Sequence, residues 1–264
     1  MEIREFLFQP LLNSTFSAQI LSSEPGILAG SDEAIGICND LGVRIKFSSP
    51  DGSSLIPNSP VFEFLGSPEA LARVEEEVLG RISKASGVAT SAGKFVDLSA
   101  ARARIVCGGW KKTAPEIRRS LRAAISVGGA GIRLTDEPFV YLDKNIVRMF
   151  GSIKAVVLRA RQLPDRVVVV QIRGETGAIE SEALEAYNAG AKIIMVDTGD
   201  VRSLELVQSS ICRAGFRDEI KLAFGGSVDL NNLEEIINAG ADIVDVGRRI
   251  IDAPLIDFRL DVRC

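Results

Sequence analysis

The chain has 264 residues, 46% hydrophobic and 25% charged, with a formal net charge of −4; this is the balance of a globular protein with one large domain or two modest ones. No basic tail or Lys/Arg stripe argues for a nucleic-acid partner, and no apolar stretch approaches the ~20 residues of a membrane span. Cys38, Cys107, Cys212 and Cys264 form no C-x-x-C pair and there is no histidine, which argues against a zinc site or disulfide framework and excludes imidazole acid–base chemistry and His-assisted nucleophiles.

Met1-Glu2-Ile3-Arg4-Glu5 lacks the basic start and apolar run of a signal peptide, so a reduced, cytoplasmic protein is expected. Residues 1–70 read as an irregular α/β segment. Gly26-Ile27-Leu28-Ala29-Gly30 is turn-rich, 43–47 alternates as a strand, Ser49-Pro50-Asp51-Gly52-Ser53-Ser54 marks a turn, and 61–65 reads as a further strand. Ser67 as N-cap and Pro68 at the first helical position open a helix over 70–83, and a second helix is expected over 87–100.

Beyond residue 100 the pattern alternates. Strands are predicted at 103–107, 131–134, 139–142, 167–172, 192–196, 221–224 and 243–246, with helices at 114–126, 146–161, 181–189, 203–214 and 230–239. Such alternation predicts a parallel sheet, closed or nearly closed into a barrel, with its chemistry at the C-terminal strand ends.

Several of those ends carry suggestive residues. The 221–224 strand runs into Gly225-Gly226-Ser227, and the 243–246 strand into Gly247-Arg248-Arg249. Glycine there lets backbone N–H groups approach a ligand, and two such loops in tandem suit a phosphate; the alternative is a pair of tight β–α turns. Lys111 and Lys112 follow a Gly-Gly turn and suit an anionic substrate, or form a solvated pair on a loop. Arg133 could hold a carboxylate or phosphate, or pair with Asp136 or Glu137. Asp197 follows an apolar strand, where it could hold Mg²⁺ through water or accept ribose hydroxyls, and Glu175 could act similarly; Asp200 reads equally as a helix N-cap.

The chain resembles the quinolinate phosphoribosyltransferase family, also called nicotinate-nucleotide pyrophosphorylase (carboxylating), over nearly its whole length. The resemblance is carried by the Gly26–Gly30 turn, Asp51-Gly52, Ser86-Gly87-Val88-Ala89-Thr90, Lys111-Lys112-Thr113-Ala114-Pro115-Glu116-Ile117-Arg118, Ile194-Met195-Val196-Asp197, and Val246-Gly247 followed by Ala253-Pro254-Leu255-Ile256-Asp257. It implies an α/β protein with an N-terminal open-faced α/β sandwich at 1–98, joined by 252–264, and an irregular, incomplete α/β barrel with parallel strands at 99–251. It also implies a homodimer whose active sites combine both subunits. The family joins quinolinate to phosphoribosyl pyrophosphate, with Mg²⁺, and releases CO2.

By position the resemblance matches Lys112 to the family's central lysine, Lys111 to an arginine, Arg133 to the barrel arginine and Asp197 to the acidic residue near the ribose and metal; Lys112 and Asp197, with Glu175 on its own strand-end placement, are the expected catalytic residues, and Lys111, Arg118 and Arg133 the expected substrate contacts. Gly225, Gly226, Ser227, Gly247 and Arg248 would line the phosphate loops, and Asp197 would hold the metal through water. Departures fall on the acceptor side. Ile132 and Ile146 stand where the family has histidine, Asp143 where it has lysine, and Glu76 where it has a helix arginine. An anion in place of a pairing cation disfavours a dicarboxylate. The leading expectation is therefore phosphoribosyl transfer to a small acceptor other than quinolinate, with Glu76 and Asp143 meeting a neutral or cationic group. The alternatives are a non-catalytic homologue that keeps the phosphate loops, and the family's own reaction in NAD biosynthesis.

Overall fold

The computed structural model describes residues 3–263, which divide into two compact units. The first takes the described residues up to Gly93, the segment Lys112–Gly129, and those from Ile250 onward. The second takes Lys94–Lys111 and Ala130–Arg249.

The first unit opens with α1 (Ile3–Phe8), β1 (Phe16–Ser22), β2 (Gly26–Ile27) and α2 (Ser31–Asp40). It continues through β3 (Arg44–Ser48), β4 (Ser54–Leu55), β5 (Pro60–Gly66) and α3 (Pro68–Ser99), whose last residues pass into the second unit. Four strands form an antiparallel sheet in the order β12-β1-β5-β3, where β12 (Phe258–Arg263) is the last element of the chain. On α3, Leu71, Val74, Val78 and Ile82 recur at three- and four-residue spacing, so they share one helical stripe. That stripe packs with Ile20, Phe62 and Phe64 of the sheet and with Ala34 and Cys38 of α2.

Two differences from the sequence expectation have the same cause. The helices predicted at 70–83 and 87–100 are one helix, α3. Gly87 does not break it but lets another backbone pass, since a Cβ there would lie 2.1 Å from the Pro254 oxygen. Likewise Lys112–Gly129, expected within the barrel domain, belongs to the first unit. Its helix α4 (Arg118–Val127) ends at Gly128, where a Cβ would come within 2.3 Å of the Ala89 oxygen. The Ser86–Thr90 motif is structural in this unit: Ser86 Oγ accepts from Ala29 N at 3.0 Å, and Thr90 Oγ1 from Ile27 N at 2.8 Å.

The second unit holds six parallel strands in the order β6-β11-β10-β9-β8-β7. They are β6 (Arg104–Val106), β7 (Phe139–Leu142), β8 (Val167–Ile172), β9 (Ile193–Val196), β10 (Lys221–Gly225) and β11 (Ile243–Asp245). The helices between them are α5 (Lys144–Phe150), α6 (Ile153–Ala160), α7 (Ile179–Ala189), α8 (Val201–Ala214) and α9 (Leu233–Asn238), and α10 (Arg248–Ile251) follows β11. The strand expected at 131–134 is reduced to a single bridge, Gly131 to Val106. That segment lies in chain order between β6 and β7, the two edges of the sheet, so the barrel stays incomplete there. The helix expected over 146–161 is two helices, α5 and α6. Gly151, at φ +69°, ends the first, and the Ser152 hydroxyl caps the second through Ala155 N. The helix expected over 230–239 begins at Leu233, because Asp229 turns the chain by accepting from Asn231 N and Asn232 N.

Candidate functional site

Side chains alternate along a strand. Val106, Val169, Ile193, Met195, Ala223 and Ile243 share one buried cluster with Leu134, and Phe139, Tyr141 and Val167 pack against it. The same two-residue step carries Tyr141, Gln171, Asp197, Gly225, Asp245 and Gly108 to the C-terminal ends of the strands on that face. The strand register supports this, with Gln171 level with Met195 and Gly225 with Asp245. This is the end at which α/β barrels carry chemistry.

Asp197 is the hub. Its carboxylate accepts from the Gln171 amide, and from Arg173 Nη1 at 3.0 Å. Gln171 is buried and is itself fixed by Lys144 N, which donates to its Oε1 at 2.8 Å. Arg173 also pairs with Glu175 at 3.3 Å, and Glu175 receives two hydrogen bonds from Arg148 at 2.7 and 2.8 Å. The Arg148 guanidinium, through hydrogen bonding above all, holds the Glu175 carboxyl below the usual range. Asp245 accepts from Gly108 N at 2.8 Å.

Tyr141 is half-buried, with Lys111 Nζ 5.4 Å from its ring centroid, within cation–π range. Burial, then the fields of Asp197, Asp245 and Asp143, push its phenol well above the ordinary tyrosine range, so it stays protonated. Cys107 is pushed up to about 12 by burial, and its thiol faces the Gly247 oxygen at 3.7 Å, which makes it a packing residue rather than a nucleophile.

The residues expected from sequence are placed as follows. Gly225 ends β10 and Gly226 and Ser227 follow it, while Gly247 and Arg248 follow β11, its parallel neighbour, so both glycine loops open from adjacent strands. Gly226 has φ +97° and a Cβ there would sit 2.8 Å from Gly199 N, so both the turn and the packing require glycine. Arg248 is exposed, and Ser227 accepts from Asn232 Nδ2 through its backbone oxygen. Lys111 and Lys112 are exposed in a 3₁₀ turn, Gly109–Lys112. Arg118 opens α4 in the first unit and donates to the Thr113 oxygen at 3.1 Å. Glu76 lies on α3 of the first unit, where Arg4 pairs with it. Arg133 is exposed, and Asp136, one partner weighed for it, is taken by Arg104 in a bidentate pair at 2.6 and 2.7 Å.

Asp143, expected to meet the substrate, is the N-cap of α5, its Oδ1 accepting from Asn145 N at 2.8 Å and Ile146 N at 2.9 Å. Sequence reasoning passed over Gln171, Tyr141, Asp245 and Glu182. The strand period would have placed the first three. Glu182 gives no such signal. It is 2% exposed and accepts from Arg173 N, Gly174 N, Thr176 N and Thr176 Oγ1, fixing the loop after β8.

Comparison with known proteins matches two family models in succession. The quinolinate phosphoribosyl transferase N-terminal domain matches residues 7–86, and the C-terminal domain of the same name matches residues 88–261. Nicotinate-nucleotide pyrophosphorylase [carboxylating] of Rattus norvegicus is 28% identical over 257 residues, covering 96% of this chain and 84% of that protein. A probable enzyme of the same name from Archaeoglobus fulgidus is 26% identical, covering 93% of each. Among solved structures, the nicotinate-nucleotide pyrophosphorylase from Francisella tularensis superposes with a TM-score of 0.81 at 26% identity, covering 98% of this chain and 94% of that one.

Proposed function

This chain belongs to the quinolinate phosphoribosyl transferase family, and from that premise we propose that it is a phosphoribosyltransferase whose reaction is that of its named relatives, the making of nicotinate mononucleotide from quinolinate and phosphoribosyl pyrophosphate. The observation that carries the reading is the match of both family domains in order, without a missing segment, to a chain whose barrel keeps its polar groups at the C-terminal strand ends. In this reaction the acceptor nitrogen bonds to the anomeric carbon, the bond to pyrophosphate breaks with its electron pair leaving on oxygen, and a ring carboxylate is lost as CO2, its electron pair staying on the ring carbon, which takes a proton from water. Such a step needs positioning and charge stabilisation more than a strong acid or base, so a chain without histidine can perform it.

In this reading the loops at Gly225–Ser227 and Gly247–Arg248 receive the 5′-phosphate. Lys111 and Arg133 supply positive charge to pyrophosphate and carboxylate, and Asp197 faces the ribose. The position of Lys111 Nζ over the Tyr141 ring, at the strand ends, supports this role for it. The Mg²⁺ that the family implies would meet, at Asp197, a carboxylate whose Oδ2 already accepts from Gln171 and from the Arg173 guanidinium; that fixed cation beside it makes a poor fit for a resident ion. The reading includes a cytoplasmic homodimer, which light scattering on the purified protein tests.

One observation favours a different acceptor. Asp143, at the position of the family's lysine, uses its carboxylate to cap α5, and Ile132 and Ile146 replace histidines, so cationic partners for a second carboxylate are fewer. Purified protein with phosphoribosyl pyrophosphate and quinolinate decides between the two. Release of CO2 and pyrophosphate in equal amounts supports the family reaction. Pyrophosphate release with a neutral or cationic pyridine but not with quinolinate supports the other acceptor. Donor binding without turnover on any acceptor supports a non-catalytic homologue.

A further inference from the structure

We propose that Arg173 is a built-in counter-cation, standing beside Asp197 where a divalent ion would otherwise sit, so that this chain holds the pyrophosphate of its donor without metal. The inference rests on the phosphoribosyl reading above and specifies how that site neutralises charge.

Arg173 is held from both ends. Its backbone N–H donates to Glu182 Oε2 at 3.0 Å, and Gly174 N donates to the same oxygen at 2.8 Å. Its guanidinium donates through Nη1 to the Asp197 carboxylate and to the Asp197 backbone oxygen, and its Nε lies 3.3 Å from Glu175. Glu175 is fixed in turn by Arg148. A third of the Arg173 side chain remains exposed, so the group is anchored and still open to a ligand.

The donor set beside it suits a guanidinium better than a metal. Gln171 and Arg173 both donate to Asp197 Oδ2, and Glu175 is shared between two arginines. A divalent ion at Asp197 would lie against a fixed like charge. Mg²⁺ on such sites is held by one or two carboxylates together with substrate phosphates. A planar guanidinium binds phosphate oxygens in the same role, with defined geometry and no dependence on free metal.

The test is calorimetric titration of phosphoribosyl pyrophosphate into the full-length protein, once with Mg²⁺ and once with EDTA. Wild type is expected to bind in both with dissociation constants within about twofold. Arg173→Gln is expected to lose about 30-fold or more in EDTA and to regain most of it in Mg²⁺, while Arg173→Lys, which keeps the charge, stays within about tenfold of wild type in EDTA. Wild-type binding that falls about tenfold on chelation overturns the inference, as does an Arg173→Gln variant with the metal response of wild type. Failure of the donor to bind in either buffer defeats the phosphoribosyl reading instead. Mn²⁺ binding followed by electron paramagnetic resonance then decides the matter alone. A gain of about tenfold in Mn²⁺ affinity in Arg173→Gln, abolished by adding Asp197→Asn, supports the inference, and unchanged affinity overturns it.

Discussion

Glu182 shows how a single buried carboxylate can organise a functional loop. It accepts from three backbone N–H groups and one hydroxyl between Arg173 and Thr176. Glu182→Ala leaves these donors without a partner in a buried place, at a cost of about 3 kcal/mol. Thermal unfolding should fall by roughly 6–12 °C, whereas Glu182→Gln, which keeps one acceptor oxygen, should fall by less; equal losses in the two variants would deny that acceptor capacity is what matters. The cysteines make a second prediction at this scale. Burial lifts Cys38 to about 11 and Cys107 to about 12, while Cys212 is exposed. At pH 8 the thiolate fraction of Cys38 is about one in a thousand. Iodoacetamide on the native protein, mapped by mass spectrometry, should modify Cys212 well before Cys38 or Cys107. Labelling of Cys107 at the rate of Cys212 would show that its pocket opens.

The residues that sequence reasoning could reach were those whose type speaks alone: paired lysines, an aspartate after an apolar strand, glycines after two others. It could not tell that Asp143 caps a helix, because an N-cap and a substrate contact use the same oxygen atoms and only the backbone geometry separates them. Glu182 was out of reach for a related reason, since its partners are backbone N–H groups and leave no trace in the sequence.

At the scale of elements, glycine was the main source of error. Gly87, where the sequence pattern predicts a helix start, lies inside α3, whereas Gly151, which the pattern predicts to be helical, ends α5 at φ +69°. Local sequence does not distinguish a glycine that breaks a helix from one that admits a neighbouring backbone. The strands of the second unit were legible because a parallel strand buried on both faces is a short continuous apolar run, as Val167–Ile172 is. The 131–134 run was not, since it has the apolar content of a strand but makes only the Gly131 bridge. Gly128 supplies the prediction here. A methyl group at that position would meet the Ala89 oxygen at 2.3 Å and the Ala92 Cβ at 2.7 Å, so Gly128→Ala must push α3 and α4 apart. A loss of about 2–3 kcal/mol is expected in urea unfolding. A loss below about 0.5 kcal/mol, typical of a surface site, would show that the two helices can slide without cost.

For the molecule as a whole, alternating strands and helices made the parallel sheet readable after residue 100, while the first sheet was only half visible. Its central strand, β1, pairs on one side with β5 and on the other with β12, from the far end of the chain. A strand whose partner lies more than 230 residues away announces itself only through its own alternation, and β12, although it alternates apolar and charged residues, offers only six residues of it. This pairing ties the first unit to completion of the chain, because loop closure over so long a separation precedes any reward from the contact. Removing residues 257–264 should therefore cost the first unit far more than the loss of an exposed tail. It takes away the antiparallel partner of β1 together with Phe258 and Leu260, which pack in the core with Ile20 and Phe64. Loss of the Phe258 side chain alone is worth about 3–5 kcal/mol. The truncated protein should show a cleavage-sensitive first unit in limited proteolysis and a thermal midpoint lower by at least about 8 °C. Phe258→Ala in the full-length chain should reproduce part of that loss while leaving the backbone pairing in place. If truncation leaves both the midpoint and the proteolytic pattern unchanged, β1 is stable with β5 alone, and the return of the chain to its first sheet is an ornament rather than a condition of folding.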